Sequence, residues 1–215
     1  MKQKLNSKNF WDNKIIENYD TIATSPIYKD KLRIVLKFIK NKSGDILDVG
    51  IGYAHLEQLL TKEKSALKLY GVDISKVSVN NATKKYKGIF LQAKAQKLPF
   101  SNSKFDVTVA LDVLEHLSSS DCKLALKEVY RVMKKGSALI VSVPLNEGEH
   151  DRSMNHHVQV YDRDLLRQQL SRAGFVEIKE IFLTAFSDHY FIKSFINRLF
   201  AITKPNLLIM FARKI

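Results

Sequence analysis

The sequence predicts an α/β fold built on a mostly parallel sheet, and three observations predict it. First, short apolar runs and segments of helical periodicity alternate along the chain, seven strands against about six helices. Second, residues 46–49 are an apolar run broken by one acid, Asp48, and followed at once by Gly50 and Gly52. Leu56, Leu59 and Leu60 then fall at helical spacing, which reads as strand, tight glycine turn and helix. Third, a second apolar run, Leu67 to Val72, ends in Asp73. This acid lies about 20 residues past the turn, where a Rossmann-like fold places a carboxylate on ribose hydroxyls.

The remaining elements follow in order. Residues 1–27 are polar with Phe10, Trp11, Tyr19 and Pro26, and predict a short helix plus loop. Leu32, Val35, Leu36 and Ile39 set the apolar stripe of a helix from Ile27 to Lys40. Its basic residues (Lys29, Lys31, Arg33, Lys37, Lys40) are expected on a solvated or anion-facing side, and Ser43-Gly44 ends it. Ser75 caps a helix running to about Tyr86, and Gly88–Gln92 is a third strand. Phe105 to Leu111 is β-branched and predicts a buried parallel strand. Ser118 to Asp121 offers caps for a helix over Leu124 to Met133, which Lys134-Lys-Gly136 is expected to close. Ala138 to Val143 is a fifth strand, halted by Pro144. Asp162 caps a helix that stops at Gly174, and Phe175 to Leu183 alternates as a half-exposed strand. His189 to Ile202 reads as a helix carrying Phe191, Phe195 and Phe200, either packed on the sheet, or a substrate lid or lipid contact, and Leu207 to Phe211 as the last strand.

The glycine turn narrows the ligand. A dinucleotide site needs G-x-G-x-x-G to seat a pyrophosphate on a helix N-terminus, and the third glycine position here is His55. A carboxylate beside the turn, Asp48, repels a pyrophosphate and attracts a cation. S-adenosylmethionine carries a sulfonium, an ammonium and a ribose. Asp48-Val-Gly-Ile-Gly-Tyr-Ala54 resembles the first motif of class I S-adenosylmethionine-dependent methyltransferases, and Val72-Asp73-Ile74 resembles the next. Leu98-Pro99-Phe100, Asp112-Val-Leu-Glu-His116, Arg131 to Gly136 and Ala173-Gly-Phe175 continue the resemblance in the same order over roughly residues 44–183. It is strongest to the small-molecule group typified by ubiquinone and menaquinone biosynthesis enzymes. Two positions depart from the pattern: Ala54 replaces a frequent glycine, and Lys94 replaces an aspartate that accepts the adenine amino group, which a lysine cannot do.

The resemblance implies a seven-stranded sheet with helices on both faces and an antiparallel last strand. It implies an enzyme that moves a methyl group from S-adenosylmethionine to a small-molecule acceptor by direct displacement. Asp48, Gly50 and Gly52 would face the amino-acid portion, Asp73 and Ile74 the ribose, and Ala95, Gln96 and Leu111 the rest of the cofactor. The acidic–histidine segment ending in His116 lies at a strand's carboxyl end, and the polar loop Leu145 to Tyr161 holds His150, His156 and His157. His116 or His156 is therefore expected to face the acceptor, as a general base. Metal binding by His150, His156 and nearby acids is the alternative, but no compact ligand spacing such as H-E-x-x-H is present, and no metal is expected. Phe10-Trp11-Asp12 and Tyr19-Asp20 resemble an aromatic N-terminal cap, alternatively a staple at one end of the core.

Composition bounds the rest. The 215 residues suit one domain, with residues 1–42 as a helical cap, 43–183 as the core and 184–215 as an inserted helix and last strand. No run approaches a membrane span, the N-terminus lacks a secretory pattern, and Cys122 is the lone cysteine, which fits a reducing cytoplasm. The net charge of +13 favours anionic partners, but its lysines are dispersed. An anionic or lipid-like small acceptor, an RNA acceptor bound by the basic surface, and a catalytically silent cofactor-binding protein are the competing readings. A nicotinamide oxidoreductase is disfavoured by the glycine pattern.

Overall fold

In the computed structural model, residues 7–17, 25–184, 193–194, 197 and 203–215 are described. They form α1 (Lys8–Glu17), α2 (Pro26–Ile39), β1 (Gly44–Val49), α3 (His55–Lys62), β2 (Leu67–Asp73), α4 (Lys76–Lys85) and β3 (Gly88–Gln92). After these come β4 (Phe105–Leu111), a single 3-10 turn (Leu114–His116), α5 (Ser119–Val132), β5 (Met133–Pro144), α6 (Glu149–Asn155), α7 (Arg163–Arg172), β6 (Phe175–Leu183) and β7 (Leu207–Lys214). Helix starts obey local chemistry. Pro26 opens α2, where its missing N–H costs nothing. The hydroxyls of Ser75 and Ser118 and the carboxylate of Asp162 accept the first free backbone N–H groups of α4, α5 and α7.

One seven-stranded sheet joins the strands in the order β3-β2-β1-β4-β5-β7-β6. β1 to β5 run parallel, and β7 lies antiparallel between β5 and β6. Because side chains alternate across a strand, neighbours on β1 enter different cores. Leu47 and Val49 face the layer of α5 and α7, with Leu126, Val129 and Leu166. Ile46 faces the layer of α2 and α3, with Val35, Ile39, Leu56 and Leu60. Each such buried aliphatic side chain contributes roughly 1.5–3 kcal/mol of transfer free energy. The sheet is thus covered on both faces, and its strand ends are the surface left for a ligand.

Three segments differ from the sequence-based expectation. β5 begins at Met133, straight from α5, so Lys134-Lys-Gly136 lies in the strand rather than closing the helix. Met133 pairs with Phe105, the register slips before Val107 pairs with Ala138, and Lys134 Nζ donates to both Asp106 carboxylate oxygens at 2.7 and 2.8 Å. Gly136, at φ +78°, absorbs this irregular start. The loop from Leu145 to Tyr161 contains the short helix α6. Lys31, expected on a solvated face, is 3% exposed and paired with Asp112. The helix expected from His189 to Ile202, and Tyr19-Asp20, lie outside the described residues apart from 193–194 and 197.

Candidate active site

Sheet order reverses between β1 and β4, and an open parallel sheet leaves a crevice outside the strand carboxyl ends at such a point. A cavity of about 1700 Å³ lies there. Asp48, Gly50, Gly52, Asp73, Ile74, Ala95, Gln96, Leu111 and His116 all line it, together with Lys94. Residues far apart in the chain thus converge on one space.

The glycine turn forms its first wall. Gly50 N donates to Val72 O at 2.8 Å, tying β1 to β2, and a Cβ on Gly50 would stand 2.5 Å from Val113 Cγ2. Gly52 N donates to Asp73 Oδ2 at 2.8 Å, and Ser75 N donates to Asp73 Oδ1 at 2.7 Å. Those two bonds fix the carboxylate plane and leave each oxygen a second lone pair for a ligand hydroxyl. Burial pushes the Asp73 carboxyl up to about 6, against the backbone bonds that favour its charged form. Asp48 is 6% and Glu57 2% exposed, and the two buried carboxyls are neighbours. Burial and the neighbouring Glu57 hold Asp48 well above the usual carboxylate range, and burial lifts Glu57 to about 7. Glu57 Oε2 has no hydrogen-bond partner. Among the described residues no salt bridge reaches Asp48, Glu57 or Asp73. This wall is therefore buried, acidic and without a cation of its own, which suits a ligand that carries positive charge and a ribose.

The opposite wall is built from β4's end and the loop after β5. Asp112 sits at φ +56° and is gripped by Ser142, whose hydroxyl donates to Asp112 Oδ1 at 2.7 Å, and by Lys31. The Lys31 ammonium, above all, holds the Asp112 carboxyl below the usual range against burial. The next turn of chain presents Glu115, fully buried, with neither carboxylate oxygen hydrogen-bonded. Burial first and the Asp112 carboxylate second keep it well above the usual range. Val158 N and Gln159 N donate to Glu115 O at 2.7 and 3.0 Å, so the post-β5 loop is laid directly on this turn. That contact carries His157 to His116, with ring centroids 4.7 Å apart. His157 Nδ1 meets Glu147 Oε2 at 2.5 Å, and His116 Nδ1 meets the carbonyl of His156 at 3.4 Å. Burial, with a smaller contribution from His157, lowers His116 to about 4, so its ring is neutral near pH 7.

Helix α1 forms a further side of the cavity. Trp11 lines it and lies edge-on to the His116 ring at 4.7 Å. Asp12 Oδ1 accepts from the Ser75 hydroxyl at 2.6 Å and from Val77 N at 3.1 Å, which docks α1 on the start of α4.

His156 stands elsewhere than its neighbour. It ends α6 at φ +58°, its ring packs edge-on to Phe10 at 4.7 Å, and it does not line the cavity; His157 does. The left-handed turn at His156 separates the directions of the two adjacent side chains. Lys31, Glu57, Glu115 and His157 are the site residues that the sequence reading did not single out. For Lys31 the signal was present: residues 28, 31, 32, 35 and 39 lie on one helical stripe with the core.

Comparison with known proteins agrees with this geometry. Residues 47–141 match the family described as "Methyltransferase domain". The ubiquinone/menaquinone biosynthesis C-methyltransferase UbiE of Rickettsia prowazekii is 31% identical over 139 residues, covering 56% of this chain and 54% of that protein. Among solved structures, Haemonchus contortus phosphoethanolamine N-methyltransferase 2 in complex with S-adenosyl-L-methionine superposes with a TM-score of 0.66 at 17% identity, over 95% of this chain and 56% of that one. The [4+2]-cyclase SpnF superposes with a TM-score of 0.68 at 19% identity, over 87% and 80% of the two chains. The matched stretches span 53% to 62% of the length of curated relatives such as these.

Proposed function

We propose that this chain, which carries a class I S-adenosylmethionine-dependent methyltransferase domain, transfers a methyl group to a small-molecule acceptor by direct displacement. The observation that carries the reading is the division of one cavity. A cation-deficient wall of buried acids and glycine N–H groups (Asp48, Gly50, Gly52, Asp73) faces a wall of aromatic and histidine groups (Trp11, His116, His157). S-adenosylmethionine, when bound, supplies a methyl carbon already activated by a sulfonium.

The chain's own residues then have four tasks. Asp73, with its plane set by Gly52 N and Ser75 N, receives ribose hydroxyls. Asp48 and Glu57, whose carboxyls burial raises, ionise when a cation arrives and become its counter-charge. Ala95 and Gln96 border the base through backbone groups, while Lys94 brings no acceptor there. His116, neutral near pH 7 and walled by Trp11, stands where it can take a proton from an acceptor hydroxyl. Positioning and desolvation supply most of such a rate enhancement.

The acceptor reading is small-molecule because Trp11 of α1 packs on His116 and α1 is bonded to the start of α4, so the acceptor wall lies beneath a helix rather than on an open basic surface. The methylated products of the quinone-biosynthesis relatives make phenolic or quinone-like compounds the first acceptors to try. We place the reaction in the cytoplasm on the lone buried cysteine. Among the described residues no helix is long and apolar enough to cross a membrane. Methyl-labelled cofactor, incubated with the chain and separate panels of phenolic compounds and RNA, tests the assignment. Label in a small product is expected; label in RNA alone would overturn the acceptor class, and no label in any product would favour a catalytically silent binding protein.

A further inference from the structure

Glu115, His116 and His157 are drawn together from two separate segments, and each offers one donor atom within 4.8 Å of the others. Glu115 is fully buried, yet both of its carboxylate oxygens lack a hydrogen-bond partner and the residue lines the cavity. A buried polar atom left unmatched costs roughly 1–3 kcal/mol and marks a place where a partner belongs. The neighbouring acid Asp112 is already taken by Lys31 and Ser142, which leaves Glu115 as the acid of this turn whose oxygens are unmatched. The two imidazoles are arranged as metal-bound histidines are. His157 Nδ1 meets the Glu147 carboxylate, and His116 Nδ1 meets the backbone carbonyl of His156. Such outer partners set the tautomer and direct Nε2 at an ion.

We propose that Glu115, His116 and His157 form a three-donor site for a divalent first-row transition metal in the acceptor wall of the cavity. Two imidazoles and one carboxylate with an open position suit Zn²⁺, Mn²⁺ or Fe²⁺ better than Ca²⁺ or Mg²⁺. Bonds of about 2.1 Å set tetrahedral donors about 3.4 Å apart, so side-chain rotation draws the three in by roughly an ångström on binding. The position opposite the protein donors opens to the cavity and accepts an oxygen ligand. The ion site stands on these residues alone. Its use, holding and acidifying the hydroxyl or enolic oxygen of an acceptor, rests on the methyl-transfer reading above, and with the ion bound it takes the place of His116 as the group that accommodates the hydroxyl proton's loss. Glu147 is a positioning residue in this scheme: it orients His157 and touches no ion.

Calorimetric titration of the chelator-stripped full chain with Zn²⁺ and with Mn²⁺ tests the site, with Co²⁺ absorption reporting the donor set. One ion per chain is expected, lost in Glu115→Gln and in His157→Ala. Glu147→Gln is expected to weaken binding by about 10- to 100-fold, with the Co²⁺ spectrum retained at saturation. Each variant is also titrated with S-adenosylmethionine, which reads folding and the cofactor wall separately. Failure of wild type to bind either ion, or ion binding unchanged in both ligand variants, would overturn the site. Ion binding as expected, with no cofactor binding by wild type, would instead overturn the methyl-transfer reading and leave the metal site in place.

Discussion

Ala54 stands in the left-handed region at φ +59°, in a position that is 1% exposed. An L-residue there costs about 1–2 kcal/mol that a glycine would not incur. Ala54→Gly is therefore expected to stabilise the chain by about 1 kcal/mol in urea unfolding, since glycine also loses more chain entropy on folding; a loss of stability would contradict this account of the turn. Glu57 carries a second prediction. Burial lifts its carboxyl from an ordinary 4.5 to about 7 in the folded protein. The folded state then binds more protons than the unfolded state across that window, so the stability linked to this group falls as pH rises through it. In Glu57→Gln the shape persists and this titration is gone. The stability of wild type relative to Glu57→Gln should drop by on the order of 3 kcal/mol between pH 4.5 and 8. Urea melts at both pH values check it, and a difference independent of pH would show that Glu57 is not the proton holder. Asp48, Asp73 and their glycines could be read from the chain because each lies at a fixed offset from a strand end. Glu115 and His157 could not, because their meeting depends on the backbone bonds from Val158 and Gln159 to Glu115, a tertiary contact with no spacing signature.

At the scale of elements, α1 acts as the cap of the cavity, and its hold is local and polar. Ile15 is its buried residue, while Asp12 bonds Ser75 and Val77 at the start of α4. Asp12→Ala removes a cap-like acceptor, with an expected cost of about 1 kcal/mol. The expected readout is faster amide exchange across residues 8–17 with little change in β1 or β4; uniform acceleration throughout the sheet would contradict a separately docked helix. Most elements were visible from periodicity, since strands here are short apolar runs and helices carry a stripe. The start of β5 was hidden because two lysines and a glycine after a helix look like a helix stop, whereas the pairing of Met133 with Phe105 and of Lys134 with Asp106 pulls those residues into the sheet. A local signal gave way to a tertiary one, as propensities do.

For the whole molecule, the claim is that a sheet of this order places a cation-seeking wall and an acceptor wall on either side of one cavity. The α/β class and the mostly parallel sheet were legible because alternating element types leave few other arrangements. The direction of β7 rested on the family resemblance, and its insertion between β5 and β6 emerged only from pairing. The charge of +13 says nothing about that cavity, whose own cofactor wall is acidic. The measurement that tests the central claim most directly is calorimetric titration of wild type and Asp73→Ala with S-adenosylmethionine, S-adenosylhomocysteine and NAD. The account predicts that wild type binds the first two and not NAD, and that Asp73→Ala binds S-adenosylmethionine about 10- to 100-fold more weakly, the loss of charge-assisted bonds to ribose. Absence of binding by wild type, or equal affinity in Asp73→Ala, would contradict it.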